Sequence, residues 1–167
     1  MYSNQLIEHF YQQFYIQQDY FECHELLEEA WKSNNNHKKD DFLVGLTLYA
    51  VSLYHYRQLN FKGALTCIKK ASTILSKHPK SLEAFNISPK KMIVQCHQIE
   101  HDILTKQQFN HIMLPHLDDQ LSHLYPSQIT SDQEIILKHK LRDRSDIINL
   151  RKQKLNKKNP ITDTPND

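Results

Sequence analysis

The run FLVGLTLYAVSLYHY, residues 42–56, leaves this 167-residue chain few ways to fold. Wound as a helix it is apolar on nearly every face, the pattern of an element that others surround. It falls short of the roughly 18 consecutive apolar residues a membrane span requires, and no such stretch occurs elsewhere in the chain. A helix from about 41 to 58, capped by Asp40 or Asp41, is therefore expected at the centre of the core. Its surroundings should be helical as well. Only two glycines, Gly45 and Gly63, occur, against an average usage of about 7%, so the glycine-rich turns of sheets are missing. No run alternates apolar and polar residues strongly enough for a strand. The predicted fold class is all-α.

Around the central run the spacing of apolar residues defines the neighbours. Leu6, Ile7, Phe10, Tyr11 and Phe14 fall three and four apart, one face of a helix over about 3–17. Asp19 followed by Glu22 resembles a capping box and starts a second helix that should reach Lys32. The polar stretch SNNNHKKD (33–40) is short, so the second and third helices should pair as an antiparallel hairpin. Asn60 can cap a fourth helix through about Lys77, with Phe61, Ala64, Leu65, Ile68, Ala71 and Leu75 on its buried side. A turn at His78-Pro79, a short helical stretch near 81–85 and a fifth main helix from Ser88-Pro89 to about Lys106 complete the array.

Residues 107–130 read as an irregular connection with one short helix near 116–123. The expected division is a helical domain over 1–125, a basic helical extension over 126–158 and a disordered tail over 159–167. Charge follows that division. Residues 1–129 hold 12 Lys/Arg against 13 Asp/Glu, and residues 130–158 hold 9 against 4. Cys23, Cys67 and Cys96 form an odd set without Cys-x-x-Cys spacing, which predicts reduced thiols rather than a disulfide framework. With no charged start followed by an apolar core in MYSNQLIEHF, the expected location is cytoplasmic, with no membrane partner.

The chemistry gathers in YFECHELLEEAW, residues 20–31. On a helical wheel at about 100° per residue, Cys23, Leu26, Leu27, Ala30 and Trp31 form an apolar arc. His24 borders that arc one turn before Glu28, Glu25 lies at its edge, and Glu22 points further round. The pattern His24-Glu25-x-x-Glu28 is one letter from the zinc motif His-Glu-x-x-His, in which two ligands sit one turn apart and the glutamate acts as base. A catalytic zinc site needs a third protein ligand, and His55 on the central helix is the natural candidate. A divalent metal would then rest on His24, Glu28 and His55, with Glu22 or Glu25 as the catalytic base. If the hairpin is symmetric about residue 36, however, His24 is level with Leu48, and His55 reaches Glu22 or Asp19 more readily than Glu28. That register favours a polar network over a metal centre. His97-x-x-Glu100-His101 also matches an inverted zinc motif, but an exposed polar helix face accounts for the same letters.

Taken together, YFECHELLEEAW and FLVGLTLYAVSLYHYRQLNFKGAL resemble the family called domain of unknown function 309, over about residues 10–75. The matching positions are Phe21, Glu22, His24, Glu25, Leu27, Glu28 and Trp31, then His55, and then Asn60, Gly63 and Ala64. KHKLRDRSDII looks like the longer C-terminus of a subset of that family. The resemblance implies a compact all-helical fold and implies no activity. At Leu48 the family commonly carries glutamine, so a partner for His24 is lost, and Ser52 one turn on offers a hydroxyl instead.

Three functional expectations follow. The leading one is a non-enzymatic binding or interaction module with a polar network of Glu22, His24, Glu25, Glu28, Trp31, His55 and Asn60. The second is a metal-dependent hydrolase built on the His24, Glu28 and His55 cluster. The third is a nucleic-acid-associated accessory protein whose basic C-terminal helix meets phosphates or another acidic partner. Self-association is compatible with each.

Overall fold

A computed structural model describes residues 2–34 and 38–117. Helix α1 (Asn4–Tyr11) runs directly into a π-helical stretch, Gln12–Gln17, and is followed by α2 (Tyr20–Ser33), α3 (Phe42–Arg57), α4 (Phe61–Leu75), α5 (Pro79–Ala84) and α6 (Pro89–Leu104). Among the described residues no strand forms. An isolated antiparallel bridge joins Ile87 to His116, and none of the helices is long and apolar enough to cross a membrane. The predicted basic helix and tail, and the boundary at 125, lie outside the described residues.

Side-chain caps set the helix starts. Ser3 accepts from the Leu6 N–H, Asp19 from Glu22, Asp41 from Leu43 and Asn60 from Gly63, each satisfying a donor that the helix leaves without an internal partner. The capping box at α2 is only half formed. The Asp19 N–H donates to the Gln13 carbonyl at 2.9 Å, because Gln18, in the left-handed region at φ 50°, folds α2 back beneath the π-helical stretch. Glu22 is thus not needed to close the box. The turn predicted at His78-Pro79 is itself the start of α5, with Pro79 at the first helical position, where its missing N–H costs nothing.

Helix α3 lies between α2 and α4, with nine of its residues buried, Leu46, Tyr49 and Leu53 among them. Gly45 permits the close approach of α4, since a Cβ there would lie 2.9 Å from Ile74 Cγ2 and 3.0 Å from Leu75 Cδ2. One stripe of α3 stays half-exposed: Val44, Leu48, Val51 and His55. Helical spacing puts these four on one side of α3, and all but His55 are apolar. They form the strip that α2 and α4 leave uncovered between them.

Tyrosines tie the first half of the fold to the second. The Tyr11 hydroxyl donates to the Phe85 carbonyl, that of Tyr49 to Gln95 Oε1 at 2.7 Å, and that of Tyr56 to the Gln107 carbonyl at 3.0 Å. Gln95 in turn donates to the Met113 carbonyl. Tyr15 stands 2.6 Å from His116 Nε2 and accepts from the Leu114 N–H at 3.0 Å. His116 Nδ1 faces the Asn86 carbonyl at 3.1 Å. A carbonyl can only accept, so in the neutral ring Nδ1 carries the proton and Nε2 accepts from Tyr15. The segment after α6, irregular as expected, is thereby held as a strap against the core.

Candidate functional site

The described chemistry centres on a cleft of about 220 Å³ where α2 pairs with α3. His24, Glu28 and Trp31 form one wall, and Val44, Thr47 and Leu48 the other, with Lys39 at the rim. His24 and Leu48 are therefore neighbours, as the hairpin register predicts. The indole N–H of Trp31 donates to the Lys38 carbonyl at 3.1 Å, which fixes the ring as a half-buried cleft wall. The wheel placed Trp31 on the apolar arc of α2, and the structure leaves it half-buried there. Its polar N–H needs an acceptor, and the start of the α3 side supplies one.

On α2 the one-turn spacing lines up three groups. His24 Nε2 lies 3.2 Å from Glu28 Oε2, and Lys32 Nζ lies 2.9 Å from Glu28 Oε1. The hydrogen bond from Lys32 holds the Glu28 carboxyl below its ordinary range, more than burial raises it. Burial lowers the affinity of His24 for a proton, and the nearby Glu28 and Glu25 carboxylates only partly offset this. His24 is thus a neutral imidazole whose Nε2–H donates to Glu28. This leaves the Nδ1 lone pair as an acceptor, and that atom is buried with no hydrogen-bond partner. Across the cleft the Thr47 hydroxyl is likewise buried and unpartnered. Buried polar atoms are nearly always paired, so two orphans within residues that line one cleft are informative. Ser52, the expected replacement partner for His24, donates instead to the Ala64 carbonyl at 2.9 Å.

His55 does not join this group. Its Nδ1 meets Asn60 Nδ2 at 3.1 Å while Asn60 Oδ1 accepts from the Gly63 N–H, so one amide caps α4 and anchors the end of α3. Leu59 at φ 59° turns the chain back to make this possible. A Cβ at Gly63 would lie 2.7 Å from Asn60 Nδ2, which accounts for the glycine. The register had His55 reaching for Glu22 or Asp19; the bond the structure gives it is the one to Asn60. Burial lowers the proton affinity of His55. Rings bridge the two histidines, with centroids 5.5 Å apart for His24 and Phe21, 5.3 Å for Phe21 and Tyr54, and 5.6 Å for Tyr54 and His55.

The geometry thus brings His24 and Glu28 together and seats His55 with Asn60. Among the described residues no three His, Cys, Asp or Glu side chains are grouped to hold a metal ion. His97 lies 3.9 Å from Glu100, which Lys69 also approaches at 3.4 Å, on an outward face of α6. Cys23 is fully buried, and its thiol is pushed up by desolvation. Two features escaped the sequence reading. Arg57 stacks its guanidinium 4.3 Å above the Tyr20 ring and donates to the Gln18 carbonyl at 2.6 Å. Thr47 was also missed, since one threonine in an apolar run carries no signal of its own.

These features define an all-helical domain wrapped around one buried helix, with a small amphipathic cleft beside it. The chain belongs to the family described as domain of unknown function (DUF309), whose model matches residues 7–67. It is similar to the uncharacterized protein YpuF of Bacillus subtilis (strain 168), at 30% identity over 164 residues, covering 90% of this chain and 94% of that protein. No solved structure matches the chain significantly.

Proposed function

We propose that this chain is a non-enzymatic binding module, and that the cleft between α2 and α3 receives a small ligand. The observation that carries the reading is that two of the residues lining the cleft, His24 and Thr47, each hold a buried atom without a partner, Nδ1 and Oγ1, among the apolar surfaces of Trp31, Val44 and Leu48. A few convergent polar groups on apolar walls are how small-molecule sites fix orientation. Leaving both atoms unpaired costs about 1–3 kcal/mol each, which a ligand that parts the cleft walls returns by pairing with them. A binding role suits the site better than catalysis. Glu28 is engaged by both His24 and Lys32, and the facing wall on α3 offers no acid or base for proton transfer.

The test is titration of the full chain with phenol, indole and para-hydroxybenzoate, followed by heteronuclear NMR. At least one probe should move the amides of Thr47 and Leu48 together with the Trp31 side-chain signal. Leu48→Trp, which fills the cleft, should abolish the response. Silence from all three probes, or an undiminished response in Leu48→Trp, would overturn the reading.

A further inference from the structure

The cleft does not end at Lys39. It opens into a second hollow of about 440 Å³ that shares Lys39, Val44 and Leu48 with it and adds Lys69, Lys70 and Ile74. The two hollows adjoin along these three shared residues, and together they make a groove whose lining changes from one end to the other. At the inner end the walls include His24 and Thr47, whose unpartnered Nδ1 acceptor and hydroxyl are buried within them. An apolar floor of Val44, Leu48 and Ile74 follows. At the outer end stand three lysines. Lys69 is matched by Glu100 at 3.4 Å, but Lys39 and Lys70 have no acidic partner among the described residues. Glu28, the acid within the cleft, is already matched by Lys32.

We infer that the groove takes a small organic anion, an apolar body with a carboxylate or phosphate at one end and an O–H or N–H donor at the other. This rests on the reading of the cleft as a ligand site and adds the class of ligand. Each part of the groove excludes an alternative. An apolar molecule without a donor forgoes the pairing that His24 Nδ1 lacks. A cation would meet the unmatched lysines, and a bare inorganic anion has neither an apolar body for the floor nor reach to both ends. The inner volume holds about seven waters at roughly 30 Å³ each, the scale of one substituted ring. The donor points inward to His24 and Thr47, and the anion lies outward at Lys39 and Lys70.

The experiment compares para-hydroxybenzoate, which has both ends, with benzoate, which lacks the donor, and phenol, which lacks the anion, by NMR titration of the full chain at low salt. Para-hydroxybenzoate should bind about fivefold or more tightly than either, the range expected of one buried donor or one partly exposed charge. Lys70→Gln, which alters only the outer hollow, should bring para-hydroxybenzoate towards the level of phenol and leave phenol unchanged. Para-hydroxyphenyl phosphate decides between the two anions, and tighter binding of either supports the anionic class. Phenol binding as tightly as para-hydroxybenzoate overturns the ligand class while the ligand site stands. Silence of every probe overturns both.

Discussion

Removing one oxygen from Tyr15 should loosen the whole strap that follows α6. The hydroxyl serves two buried partners, accepting from the Leu114 N–H at 3.0 Å and donating to His116 Nε2 at 2.6 Å. In Tyr15→Phe the ring still fills its place in the core, so no cavity opens. The buried Leu114 N–H loses its partner, at about 1–3 kcal/mol, and the bond to His116 forfeits about 0.5–1.5 kcal/mol more. The sum is about 1.5–4.5 kcal/mol, a large share of the roughly 5–15 kcal/mol typical of a folded domain. Urea denaturation of the full chain measures this, and an unchanged slope with a lower midpoint assigns the loss to stability rather than to compactness. Hydrogen exchange adds a local readout, because the Leu114 amide should lose protection first. Tyr11→Phe is the control. It removes the bond to the buried Phe85 carbonyl, should likewise cost about 1–3 kcal/mol, and should leave the Leu114 amide protected. A Tyr15→Phe protein within about 0.5 kcal/mol of the parent, with Leu114 still protected, would refute the reasoning.

Gly45→Ala should destabilise by about 1 kcal/mol in the same assay, because overpacking against Ile74 and Leu75 outweighs the helix propensity gained; a more stable variant would show that those side chains yield freely. Leu48→Gln places an amide beside His24 Nδ1, and it should be neutral or stabilising, whereas Leu48→Ala should cost about 1 kcal/mol or more. Equal losses in both variants would argue against the orphaned acceptor. His24 has its proton affinity lowered by burial from the ordinary value of 6.5, so the unfolded chain binds the proton first. The stability His24 contributes is full above about pH 6.5 and is lost as pH falls towards the folded-state value. Denaturation midpoints between about pH 7.5 and pH 5 should therefore fall less steeply in His24→Phe, and parallel curves would contradict this.

What the sequence made legible was whatever is local or periodic. The apolar run of α3, the caps at Asp19, Asp41 and Asn60, and the pairing of α2 with α3 all follow from spacing within one or two helices. His24 beside Leu48 followed from the same register. The partner of His55 did not, because Leu59 reverses the backbone and returns Asn60 to the end of α3. A helical wheel carries no information about such a turn. Nor does it show which stripe of a uniformly apolar helix is left bare, and that choice, made by the placement of α2 and α4, is what creates the cleft. The tyrosine hydroxyls were out of reach for another reason, since Tyr15 and His116 meet across 101 positions of sequence.

Those hydroxyls also bear on where the protein begins to be divisible. The stretch matched by the family model stops at residue 67, within α4, yet Tyr11, Tyr15, Tyr49 and Tyr56 all bond to residues beyond it. A recombinant fragment cut at that point would present four stranded phenols and the bare underside of its own core to solvent. The shared stretch is thus a signature and not a severable piece: a gene fusion or truncation that treats residue 67 as a seam would inherit half of a joint.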